Sequence, residues 1–98
     1  MKLQMHSIHF DADIKLLNFI QKKTDKLHTF YDRIIDGEVI MRLEKNDIDN
    51  KVVEIKVNLP GSQLFAKEQS KSFEAATDLA VEALRRQLKK FKDKKKAA

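Results

Sequence analysis

The chain has no cysteine and no tryptophan, one proline, two glycines and one tyrosine in 98 residues. Each shortage removes a class of protein. Without cysteine there is no disulfide framework, no thiolate metal site and no cysteine nucleophile; a reducing compartment, the cytoplasm, is the expected setting. Isolated glycines at 37 and 61 leave no glycine-rich phosphate loop and no flexible linker. No apolar run approaches the ~18 residues of a membrane span. The opening MKLQMHSIHFDAD lacks the apolar stretch and small-residue cleavage pattern of a secretory signal.

Candidates for chemistry are equally sparse. His6 and His9 lie three apart on an expected strand and point to opposite faces, and His28 stands alone near a helix end. None of these has the spacing of a chelating pair. Asp47 and Asp49 fall in a polar loop, where turn propensity accounts for them. Ser62, Ser70 and Ser72 lack a nucleophile-elbow context. No metal, cofactor, small-molecule substrate or enzymatic activity is expected.

What the sequence does have is charge, unevenly placed. Residues 1–50 carry eight Lys/Arg against nine Asp/Glu, whereas residues 51–98 carry twelve against six. From Arg85 to Ala98 there are eight basic residues and a single acid, Asp93. Such asymmetry points to a polyanionic partner.

Periodicity orders the rest. Residues 2–9 alternate as a first strand, and Asp11 and Asp13 offer N-cap oxygens to a helix from Ile14 to His28. Its apolar stripe is Leu16, Leu17, Ile20, Thr24, Leu27 and Tyr31. Period two returns over residues 34–44, with Val39, Met41 and Leu43 to one side. Residues 45–50 make a hairpin loop, Val53, Ile55, Val57 and Leu59 mark a strand, Pro60-Gly61 forces a turn, and a short strand spans Gln63 to Lys67. From Ser72 the period is helical: Phe73, Thr77, Ala80, Leu84, Leu88 and Phe91 fall within about 60° of one line, giving five or so turns. The resulting fold class is α+β, a two-layer β-α-β-β-β-α sandwich with a four-stranded sheet and both helices on one face. One domain is expected over residues 1–93, followed by a basic tail over 94–98.

The cations then take a place in space. Arg85, Arg86, Lys89, Lys90, Lys92 and Lys96 are assigned to the face of the second helix opposite its apolar stripe. Lys15, Lys22 and Lys26 share a face of the first helix, with Lys23 beside them. Side by side, the helices would join these into one cationic surface that neutralises phosphates without reading bases. Two plainer readings stand beside it. A solvated helix end suits the helix dipole, with Glu74, Asp78 and Glu82 early and the cations late; an acidic membrane surface is the other. Phe10, Phe19, Phe30 and Phe65 could stack on unpaired bases. Core packing is expected for most, with Phe19 the exception because its helical angle lies near the lysines.

The segment LPGSQLFAKEQSKSFEAATDLAVEALRRQLKKFKDK, preceded by a strand and a helix with lysines at 22, 23 and 26, resembles the bacterial ribosome hibernation-promoting factors. These are also called ribosome-associated inhibitors or ribosomal subunit interface proteins. The resemblance covers nearly the whole chain and implies a fold related to the double-stranded-RNA-binding domain. It further implies a cytoplasmic, ribosome-associated protein that binds the small ribosomal subunit between head and body. Lys22, Lys23, Lys26, Arg85, Arg86, Lys89, Lys90 and Lys92 would contact rRNA there, where messenger and transfer RNA otherwise run. Translation would stop and idle ribosomes would be preserved in stationary phase or under stress. The sequence departs from the family pattern at Lys71, Ser72, Phe73, Ala83 and Arg85, which makes the second helix more basic along its length. Pairing of ribosomes by this chain alone is not expected. A general structured-RNA-binding module or RNA chaperone, and a regulator acting through protein contacts, are the alternatives.

Overall fold

The computed structural model describes residues 1–44 and 48–97, with backbone alone for 95–97. Lys45, Asn46 and Asp47 of the expected hairpin loop, and the side chain of Lys96, lie outside the described residues. The elements are β1 (Leu3–Ile8), α1 (Ile14–Asp25), a 3-10 turn (Lys26–Thr29), β2 (Asp36–Leu43), β3 (Lys51–Leu59), β4 (Ser62–Ser70) and α2 (Phe73–Ala97). This is the expected β-α-β-β-β-α order. The sheet runs β1-β2-β3-β4, with β1 parallel to β2 and the remaining pairs antiparallel. A parallel pair needs a crossover, and α1 supplies it.

Local chemistry sets the boundaries. The Asp13 carboxylate accepts the Leu16 N–H at 2.8 Å, capping α1. Ser72 does the same for α2, its hydroxyl accepting the Ala75 N–H at 3.0 Å. The helix expected to reach His28 stays α-helical only to Asp25 and then tightens to 3-10 winding. β4 is longer than the expected Gln63–Lys67 because every residue from Ser62 to Ser70 faces a partner on β3. α2 also runs further, about seven turns at 3.6 residues each. Between β3 and β4, Gly61 takes φ 73°, the left-handed conformation that the turn after Pro60 needs.

Strand register stacks one apolar row across the sheet, Met5–Val39–Ile55–Ala66, and the helices cover it. Ile20 and Leu27 from the first helical segment meet Ala76, Ala80, Leu84 and Leu88 from α2 in the same core. Each of the larger side chains stabilises the fold by roughly 1.5–3 kcal/mol through burial. Thr24 and Thr77 sit in the apolar stripes at full burial because their hydroxyls donate to the Ile20 and Phe73 carbonyls, at 2.8 and 2.7 Å. Two aromatic contacts close the ends of the layer: Phe10 stacks on Phe73 at 4.5 Å, and Tyr31 meets Phe91 edge-on at 5.5 Å. The far side of the sheet is polar, with Arg42 and Glu54 paired across β2 and β3 at 2.7 Å.

Two of the phenylalanines depart from the expected core packing. Phe65 projects from the outer face of β4, between inward-facing Leu64 and Ala66, and is 48% exposed. Phe30 follows the 3-10 turn and is 41% exposed.

Candidate nucleic-acid interface

α1 and α2 pack side by side, and Lys23 marks the seam. Its ammonium lies 5.4 Å from the centre of the Phe19 ring and 3.2 Å from the Asp78 carboxylate of α2. Lys22 and Lys26 are exposed beside it. The other flank of α1 faces β1, where the Asp25 carboxylate accepts from the chain's amino terminus at 2.7 Å and from Gln21 at 2.9 Å. Desolvation raises the Asp25 pKa, but these two hydrogen bonds and the nearby positive charge outweigh it and hold the carboxyl below its ordinary value.

On α2 the guanidinium of Arg85 grips Glu82 at 2.5 and 3.1 Å. That hydrogen bonding, followed by the attraction of Arg85 and Arg86, lowers the Glu82 carboxyl against some desolvation, and Arg85 is raised in turn. Arg85 also lies 5.8 Å from the centre of the Phe30 ring. Lys92 donates to the Phe30 carbonyl at 2.7 Å. With Lys89 and Asp93, these residues line a cleft of about 240 Å³ between the 3-10 turn and the last turns of α2. Lys90 and Lys94 sit on the opposite flank, beside Ser62, Leu64 and Phe91. There Gln87 donates to the Phe65 carbonyl at 2.8 Å and fixes α2 to β4.

The expected α2 cations lie on the side of the helix away from its apolar stripe, spread over a broad arc rather than a narrow face. Spacings of one, three, one and two residues between 85 and 92 spread these five over about 160° at 100° per residue. From Lys92 through Arg85, Lys89, Arg86 and Lys90 to Lys94 the cations sweep roughly 200° around the helix. Of the eight residues named from the sequence, Lys23 and Arg85 are ion-paired and Lys92 holds a carbonyl. The side chains of Lys22, Lys26, Arg86, Lys89 and Lys90 make no ion pair or hydrogen bond among the described residues.

Phe30, named above among the rings that could stack on unpaired bases but expected in the core, is instead exposed beside the cations of α2.

Residues 3–96 match the model of one family, described as Sigma 54 modulation protein / S30EA ribosomal protein. The chain belongs to this family. The ribosome hibernation promoting factor of Pseudomonas putida is 29% identical over 97 residues, spanning 99% of this chain and 92% of its own. The ribosome hibernation promotion factor of Deinococcus radiodurans is 32% identical over 91% of this chain, which spans 48% of that protein. A ribosomal subunit interface protein from Coxiella burnetii superposes with a TM-score of 0.85 at 29% identity, over 95% of this chain and 99% of that one. The shared fold of this S30EA-family chain is seen in that superposition, and the basic residues of α1 and α2 named above lie within the matched residues.

Proposed function

We propose that this S30EA-family protein is a ribosome hibernation factor. It binds the small ribosomal subunit through rRNA in the channel used by messenger and transfer RNA, and it holds the ribosome idle under stress or in stationary phase. Relatives named for ribosome hibernation support the general role. The observation that carries the binding mode is the roughly 200° sweep of cations around the end of α2, joined by Lys22 and Lys26 of the neighbouring segment. A protein lying on one duplex needs charge on one face. A plug in a crevice walled by RNA meets phosphate on several sides, and this distribution suits the plug.

The mechanism is occlusion and requires no bond to be made or broken. Lysines act as mobile point charges and Arg86 offers a planar fork to phosphate oxygens. Each contact releases condensed counterions. The sheet behind α2 supplies rigidity, since Leu84 and Leu88 are fully buried on the same two turns that carry Arg86, Lys89 and Lys90. The protein competes with messenger and transfer RNA because all three are held by the same RNA-lined space. It is a cytoplasmic protein in this reading, and its partner is a polyanion with no small-molecule substrate or cofactor.

Sedimentation of small subunits with the purified protein tests this directly. Saturable binding near one copy per subunit, lost when messenger RNA and initiator transfer RNA already occupy the channel, is the expected result. Unsaturable binding, equal on unrelated structured RNA and indifferent to those ligands, would return the protein to the class of general RNA-binding modules.

A further inference from the structure

We infer that the cleft between the 3-10 turn and the end of α2 is a pocket for one unpaired RNA nucleotide, with Phe30 as the stacking platform for its base. The inference rests on the RNA-binding reading above and assigns to it a contact of a different kind from phosphate neutralisation. The Phe30 ring is 41% exposed, and its backbone is fixed from both sides. The Phe30 N–H donates to the Leu27 carbonyl at 3.0 Å, and its own carbonyl accepts from Lys92 at 2.7 Å. The platform is therefore preorganised, and little ordering is lost when a base arrives.

The lining matches the parts of a nucleotide. Phe30 offers a π-face, and Arg85, 5.8 Å from the ring centre, offers a planar cation that bases also stack upon. Lys89 and Lys92 line the same cleft and supply charge for the phosphate. Asp93 is the acid in that lining, and a carboxylate can only accept, so it favours a base with an exocyclic amino group. At about 240 Å³ the cleft falls below the ~300 Å³ at which pockets for drug-sized ligands begin, so it suits one planar group. A paired base cannot enter, because its face is already stacked within a helix. The partner must present a bulged, looped or terminal nucleotide.

The test uses three RNA duplexes differing at one position: fully paired, with a single cytidine bulge, and with an abasic residue in that bulge. The abasic probe keeps the phosphate and the altered backbone but removes the stacking face. Wild-type protein is expected to bind the cytidine bulge roughly 5- to 150-fold more tightly than the abasic one, the span of base–aromatic stacking. Phe30→Ala should bind both equally, and Phe30→Tyr should restore the difference, with thermal melts confirming that all three proteins fold. Equal binding of the two bulges by wild type, or an undiminished preference in Phe30→Ala, overturns the pocket. Small-subunit binding separates the two levels. If wild type and Phe30→Ala saturate subunits with the same affinity, the pocket falls and the hibernation reading stands. If wild type does not saturate subunits yet discriminates the bulges, the hibernation reading falls and the pocket stands.

Discussion

Salt dependence of small-subunit binding counts the cations that meet phosphate, and the structure gives the count to expect. Five of the eight residues named from the sequence, Lys22, Lys26, Arg86, Lys89 and Lys90, have no internal partner among the described residues, while Lys23 and Arg85 are engaged by Asp78 and Glu82. At about 0.7–0.9 counterions released per contact, five contacts give a slope of about −3.5 to −4.5 for log K against log salt, and all eight would give about −5.6 to −7. A slope near −4 amounts to a loss of roughly 250-fold between about 50 and 200 mM salt. Fluorescence anisotropy of labelled protein titrated with small subunits at fixed magnesium measures it. Lys89→Gln should flatten the slope by about 0.8, whereas Glu82→Gln should steepen it by up to the same amount, because Arg85 is released from its internal partner. The two variants move in opposite directions although both alter one charge on the same helix. A wild-type slope shallower than about −2, or a Lys89→Gln protein that titrates like wild type, would refute the placement of phosphate along α2.

Three further outcomes concern the scaffold. At Gly37 an added Cβ would sit 2.9 Å from the Lys56 carbonyl oxygen and 2.8 Å from Leu3 Cδ2, so Gly37→Ala should destabilise by about 1–3 kcal/mol in a denaturant melt; unchanged stability would show that β1 and β3 yield at no cost. His9 holds φ 72°, so His9→Gly should be neutral or stabilising while His9→Val loses at least ~1 kcal/mol, and equal effects of the two would refute backbone strain there. Asp25 has a folded pKa below its unfolded value, so its stabilisation is present above the unfolded value of about 3.9 and is lost as pH falls through the lower folded one. The stability gap between wild type and Asp25→Asn should therefore close in acid, and a gap constant from neutral pH to about pH 2 would contradict the pairing with the amino terminus.

The fold was legible wherever a period ran long enough to fix a face. The α2 stripe and the β3 alternation placed Leu84, Leu88, Val53, Ile55 and Val57 correctly, and all are fully buried. Legibility fell off where geometry changes over one or two residues. The 3-10 winding after Asp25 has no composition signature, and the length of β4 was set by its pairing with β3 rather than by its own mixed sequence. The cations were legible as a group, because charge density needs no geometry. Their distribution was not, since Lys23 and Arg85 find carboxylates across the helix seam and one turn back, contacts that sequence spacing alone underdetermines. Phe30 is the instructive miss. Hydrophobicity assigned it to the core, whereas the 3-10 winding after Asp25 leaves it exposed beside Arg85 and Lys92.

These observations separate rigidity from charge in a way that bears on occlusion. The two turns of α2 holding Arg86, Lys89 and Lys90 also hold Leu84 and Leu88, fully buried, and Gln87, tied to the Phe65 carbonyl. Moving those cations out of register with an RNA crevice would mean withdrawing leucines from the core, at about 2–5 kcal/mol for a side chain truncated to alanine. A mobile basic tail would gain similar Coulomb attraction but would lose ordering entropy on binding and could adapt to any RNA. Under the proposed occlusion, selectivity for one crevice resides in α2 as a packed element. Leu88→Ala should accordingly weaken binding to small subunits more than binding to a featureless duplex, although it removes no charge. A parallel melt establishes that the variant is folded at the assay temperature. Equal losses on both RNAs would mean that charge alone, without its rigid mounting, decides where this protein binds.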